Sequence, residues 1–193
     1  MRIVVLLSLL LWVCLVAAST LQVLTLDDMT AQSSAVVHAH VIASHPEWRS
    51  SKKNVVITRY TLKADRYMKG NLGSTFEIVE PGGSLGMLTT TVAGAPAFQV
   101  GEEVVLFVWT APGTNMHQSI GFEQGAFRVT RNAATGARTI NHSQPFNGGG
   151  RFVDSAEIDT AIKGDVTSRS LDEFIGQVGA SVRRVAARQT GAK

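Results

Sequence analysis

Ala95-Pro96-Ala97-Phe98-Gln99-Val100-Gly101-Glu102-Glu103-Val104-Val105-Leu106-Phe107-Val108-Trp109 is the stretch on which the fold class turns. Its second half, Val104 to Trp109, is an unbroken β-branched and apolar run of the kind that forms a strand buried on both faces. Gly101 and the acids Glu102 and Glu103 mark its start, and Ala111-Pro112-Gly113 ends it in a turn. A strand of this kind belongs at the centre of a sheet or barrel, with the other strands arranged around it.

Upstream, the alternation of Ala35, Val37, Ala39, Val41 and Ala43 with Val36, His38, His40 and Ile42 predicts a strand from Ala35 to Ser44. A second strand is expected from Val55 to Tyr67, with Val56, Thr58, Tyr60, Leu62 and Ala64 on one face. Lys69-Gly70-Asn71 turns the chain into a third strand, Thr75 to Glu80, closed by Pro81-Gly82-Gly83. Gly86 to Phe98 is read as an irregular excursion in which Thr89 to Val92 forms a short edge strand. Downstream, Ile120 to Arg131 is expected as the last long strand, with Gly121 and Gly125 at bends or bulges. Thr135-Gly136 then turns back through Arg138 to Asn141.

Two helices frame these strands. Thr25 with Asp28 predicts a short, capped helix, and Ser170 with Glu173 opens a longer one. Leu171, Phe174, Ile175, Val178, Val182 and Val185 give the longer helix a single apolar stripe. Arg183, Arg184 and Arg188 suit its C-terminal end. The fold expected is mainly β: an antiparallel, OB-like barrel of five or six strands with a short N-terminal helix and a C-terminal helix packed on it.

The 193 residues are 45% hydrophobic and 17% charged, the composition of one globular domain. Arg2, the apolar stretch Ile3 to Val16 and the small residues Val16-Ala17-Ala18 read as an export signal over 1–18, cleaved near Ala18. That stretch is shorter than the roughly 20 residues of a spanning helix. The organisation expected is a β-domain over 19–141, an irregular linker over 142–167 containing Asn147-Gly148-Gly149-Gly150, and a helix over 168–193. The single cysteine, Cys14, falls inside the signal, so the mature chain has no disulfide. Seventeen basic residues then face 15 acids, a balance too even to imply a nucleic-acid partner.

Several patterns bear on chemistry. His38 and His40 share a strand face with their Cα atoms about 7 Å apart, and with a loop histidine (His45, His117 or His142) they would make an open zinc site. Gly82-Gly83-Ser84-Leu85-Gly86 has the spelling of a nucleophile elbow, but the β-branched run after it disfavours the helix that motif requires, so a glycine-rich hairpin is expected. Glu102 and Glu103 point to opposite faces of their strand and read as a solvated strand entrance. Asn141-His142-Ser143 is a glycosylation sequon. No phosphate loop, dinucleotide fingerprint or metalloprotease signature occurs, and no cofactor is implied.

The segments Ser34 to Val41, Tyr60 to Gly70, Glu80 to Gly83, Gly94 to Glu103 and Gly121 to Val129 resemble a group of uncharacterised exported bacterial proteins. The pattern of a strand followed by one ending in Lys-Gly is similar to the OB-like barrel of netrin modules and tissue metalloproteinase inhibitors. The resemblance implies a barrel in the periplasm or outside the cell. Those inhibitors reach the protease metal with an N-terminal cysteine, which this chain lacks. The function expected is a non-enzymatic exported module binding a protein or glycan. The alternatives are a metal-dependent hydrolase using His38 and His40, and an inhibitor-like partner of an extracellular protease. The partner surface is expected on Pro81 to Phe98, through Leu85, Met87 and Leu88, because a loop of that length carrying apolar side chains either folds back on the core or meets a partner.

Overall fold

A computed structural model of the chain describes residues 23–52, 55–142 and 169–191. The expected export signal over 1–18, and all of the expected linker except His142, lie outside the described residues.

Helix α1 (Leu26–Gln32) starts at the predicted capping box: Asp28 N–H donates to Thr25 Oγ1, and Thr25 N–H donates to Asp28 Oδ2. The strands follow: β1 (Ala35–Trp48), β2 (Val56–Lys69), β3 (Thr75–Pro81), β4 (Gly83–Leu85), β5 (Leu88–Thr90), β6 (Glu103–Thr110), β7 (His117–Ser119), β8 (Ala126–Arg131) and β9 (Arg138–His142), before helix α2 (Leu171–Gly191). Seven strands form one antiparallel sheet ordered β3-β2-β1-β6-β8-β9, with β7 beside β6, and β4 and β5 form a separate hairpin. The run Val104 to Trp109 is central as expected, flanked by β1 on one side and by β7 and β8 on the other.

The strand expected from Ile120 to Arg131 is broken. Gly121 and Phe122 both take left-handed backbone, at φ of 61° and 59°, and a 3-10 turn (Phe122–Gly125) separates β7 from β8. The side chain of Gln124 in that turn accepts the Leu24 N–H, tying the turn to the segment before α1. β1 runs four residues further than expected, to Trp48, and β2 two further, to Lys69. Three register shifts in their ladder skip Ile42, Asp65 and Met68, so the pair coils without losing its apolar alternation.

Two cores result, one on each face of the sheet. Ala35, Val37, Ala39, Val41, Tyr60, Leu62, Phe76, Ile78, Val104, Leu106, Val108 and Ala126 pack on the inner face, capped by Phe98 edge-on to Tyr60. Val36, Val105, Phe107, Phe127 and Ile140 face outward and are covered by Met29 of α1 and by Leu171, Phe174, Ile175 and Val178 of α2. This double burial is why Val104 to Val108 carries no polar residue.

No ladder joins β3 to β7, so among the described residues the sheet is not a closed barrel. Four antiparallel steps along β3-β2-β1-β6-β7 nevertheless make β3 and β7 parallel. The sheet bends far enough for Ser119 N–H on β7 to donate to Glu80 Oε1 on β3 at 2.7 Å. No helix among the described residues is long and apolar enough to cross a membrane.

Candidate functional site

Three groups of residues gather chemistry, and β1 and its neighbours position each of them. The first is the histidine pair. Odd-numbered residues of β1 fill the inner core, so Val36, His38 and His40 project from the outer face. His38 Nε2 lies 2.8 Å from Glu103 Oε1, and His40 Nδ1 lies 2.7 Å from Asp65 Oδ2. Each ring also approaches the other carboxylate, at 3.9 Å for His38 with Asp65 and 3.8 Å for His40 with Glu103. Arg138 of β9 adds a guanidinium 3.3 Å from Glu103.

The ring centroids of His38 and His40 are 6.1 Å apart, so the shared face read from the sequence holds. His45 and His117 do not join them: His45 pairs across β1–β2 with Arg59, and the His117 Nδ1 contacts Thr110 Oγ1. Among the described residues no group of three or more His, Cys, Asp and Glu is arranged to hold a metal ion. The imidazoles are engaged by carboxylates instead, and the cluster ties β1, β2, β6 and β9 together.

This arrangement corrects the expected solvated entrance at Glu102-Glu103. The two side chains do take opposite faces, but Glu103 is only 11% exposed in its network, and Glu102 lies 3.4 Å from Arg128. Of the arginines expected at the C-terminal end of α2, Arg188 lies in its last turn, and two of them have a further role. Arg184 and Arg188 reach Asp27 of α1, at 2.6 and 3.4 Å, and Arg184 holds that carboxyl below its usual range.

The second group is the segment from Pro81 to Phe98. The regular β4–β5 hairpin occupies Gly83 to Thr90, so the excursion expected from Gly86 begins inside it, and the edge strand expected at Thr89 to Val92 is β5 at Leu88–Thr90, with Ser84 Oγ 2.9 Å from Thr89 Oγ1 across the pair. The Gly82-to-Gly86 spelling is therefore hairpin, as its β-branched context demanded. Its base is fixed by Gly82, whose N–H donates to Val56 O and whose carbonyl accepts from Thr58 Oγ1 at 2.7 Å. A Cβ on Gly83, at φ of 134°, would overlap the Thr58 hydroxyl, so the Gly-Gly pair is a packing requirement of this turn. At the tip Met87 is 105% exposed and Leu88 45%, while Leu85 is half-buried. Met87 and Leu88 do not fold back on the core.

The third group escaped the sequence reading. Glu80 is 2% exposed on the inner face, directly opposite Thr58 of β2. Burial pushes its carboxyl up to about 7, against the pull of hydrogen bonds from Ser119. The signal was in the sequence: Glu80 has the parity of Phe76 and Ile78, the inward residues of β3. An acid of raised folded pKa stabilises the fold fully below its unfolded value, and that contribution is lost as pH rises through the folded one. At about 1.4 kcal/mol per pH unit, Glu80 should withdraw about 3 kcal/mol of stability as pH climbs from 4.5 to about 7. Urea unfolding at a series of pH values should show this slope in the difference between the wild type and Glu80→Gln. A constant difference across that window would contradict it.

The fold defined by these contacts is a bent, mainly antiparallel β-sheet flanked by two packed helices. Against family models, curated proteins and solved structures, the chain has no match.

Proposed function

We propose that the protein is an exported, non-enzymatic binding module, built as an OB-like barrel, that takes its partner on the β4–β5 hairpin. The observation that carries this reading is Met87, fully exposed at the tip of a glycine-anchored hairpin with Leu88 beside it. Apolar side chains held in water on a structured projection are the mark of a contact surface, since nothing in the fold gains from their exposure. Methionine adapts to irregular apolar pockets, which favours a protein partner over a glycan. The strand order supports the OB-like description, because parallel β3 and β7 meeting at Glu80 occupy the place where such a barrel closes.

The test is capture of a stoichiometric partner from the envelope or medium of the host by the protein beginning after Ala18. The variant Met87→Ser/Leu88→Ser should keep its unfolding free energy within about 0.5 kcal/mol, as exposed positions do, and should lose the captured partner. A variant that melts early yet still captures the partner would remove the hairpin from the binding surface.

A further inference from the structure

Where β3 meets β7 there is no backbone ladder, only a side chain reaching across. Glu80 sends its carboxyl through the inner face to the Ser119 N–H. The same level of the sheet holds the base of the hairpin. Thr58, directly opposite Glu80 on β2, is the residue whose hydroxyl donates to Gly82 O and against which Gly83 is packed. Pro81 alone separates Glu80 from that anchored glycine.

We propose that this seam is a proton-operated latch on the hairpin: protonated Glu80 holds β3 to β7 and fixes the hairpin base, while ionised Glu80 draws water into the seam and loosens both. The proposal rests on the reading of the hairpin as the partner surface, for which it supplies the regulation. The physical reason is burial: the Ser119 hydrogen bonding favours the ionised carboxylate, but at 2% exposure it does not replace the water that the charge gives up, and the relief within reach is local opening.

The surroundings leave Glu80 alone in this role. β2 presents Thr58 to it, and β7 presents Ser119. His117, two residues earlier on β7, is turned to Thr110, and burial keeps its imidazole below the usual value. Arg59, Glu47 and Glu77 pair among themselves, Arg59 and Glu77 at odd positions of β2 and β3 and Glu47 opposite Ile57, beyond the register shift at Ile42 that reverses the parity of β1, away from Glu80's inward face. Glu123, in the 3-10 turn after β7, is also raised by burial, with Arg128 opposing. Burial and Ser119 are the influences on Glu80 itself.

The experiment is amide NMR on the isotopically labelled mature protein between about pH 5 and about pH 9, a span that brackets the titration. The Ser119 amide should shift with a single step near neutrality. Exchange protection at Ser119 and Gly82, corrected for base catalysis, should fall about tenfold or more across that step. Glu80→Gln, which keeps the acceptor oxygen without the charge, should abolish both changes, and His117→Gln should leave both in place. A Ser119 amide that does not titrate, hairpin protection that stays constant, or the same loss in Glu80→Gln would each overturn the latch. Should Glu80→Gln fail to fold, the wild-type titration and the His117→Gln control decide alone. Because no partner enters the measurement, failed capture with an intact titration rejects the partner reading and leaves the latch standing.

Discussion

Phe174→Ala should destabilise the protein by about 3–5 kcal/mol, the usual cost of emptying an aromatic from a closed core. Phe174 is fully buried, and its ring centre is 4.6 Å from that of Phe127, which in turn meets Phe107 at 5.8 Å. Nothing local compensates. Helix α2 contains Gly176 and Gly179, each costing roughly 1 kcal/mol of helix propensity relative to alanine, so packing rather than propensity holds it. The loss is a large part of the 5–15 kcal/mol that ordinarily separates a folded domain from its unfolded chain. Urea titration followed by far-ultraviolet circular dichroism measures it. A loss below about 1 kcal/mol would mean that α2 is not integral to the outer core.

Gly70→Ala should cost almost as much, by a different route. Gly70 sits at φ of 63°, and a Cβ there would overlap the carbonyl oxygen of Ser34 while pressing at 3.1 and 3.2 Å on the Cα and Cβ of Ala35. Left-handed backbone alone costs roughly 1–2 kcal/mol for a residue with a Cβ. Overlap with the rigid start of β1 should carry the total to about 3 kcal/mol or more, within the range reserved for strain at special backbone positions. Gly86 and Gly101 also have positive φ but face open space. Their alanine variants isolate the backbone term and should lose only about 1–2 kcal/mol. Equal losses at all three positions would show that the approach to Ser34 contributes nothing.

Much of this architecture was legible from local pattern. Both capping boxes, the twice-buried strand and the apolar stripe of α2 depend on spacing that a single stretch of sequence carries. The histidine face was legible for the same reason. Its partners were not, since Asp65 is 25 residues from His40 and Glu103 is 65 from His38. Asp65 is moreover skipped by the β1–β2 ladder, a bulge that alternation cannot locate. The break before β8 was half legible: Gly121 marked a bend, but left-handed backbone at Phe122 is a cost met by tertiary contacts. Glu80 shows the opposite case. Its inward parity is readable, but an acid at the end of a strand usually meets solvent, so parity alone does not mark it as buried.

Lys69 links strand β2 to helix α1. Its ammonium donates to the carbonyls of Thr30, Ala31 and Ser33 at 2.5 to 3.2 Å, closing the C-terminal end of α1, and burial holds it below its usual value. From the other side, Ser181 of α2 donates to Asp27 and lies 3.0 Å from Thr30. Seven residues are too few for a helix to persist by itself in water. Helix α1 therefore exists only once strand β2, more than 35 residues later, and helix α2, some 150 residues later, have both arrived. Among the described residues the N-terminal element is not autonomous: helix α1 is among the last pieces to become stable, and a nascent or truncated chain that stops short of Leu171 leaves that helix, and the outer face it covers, unmade.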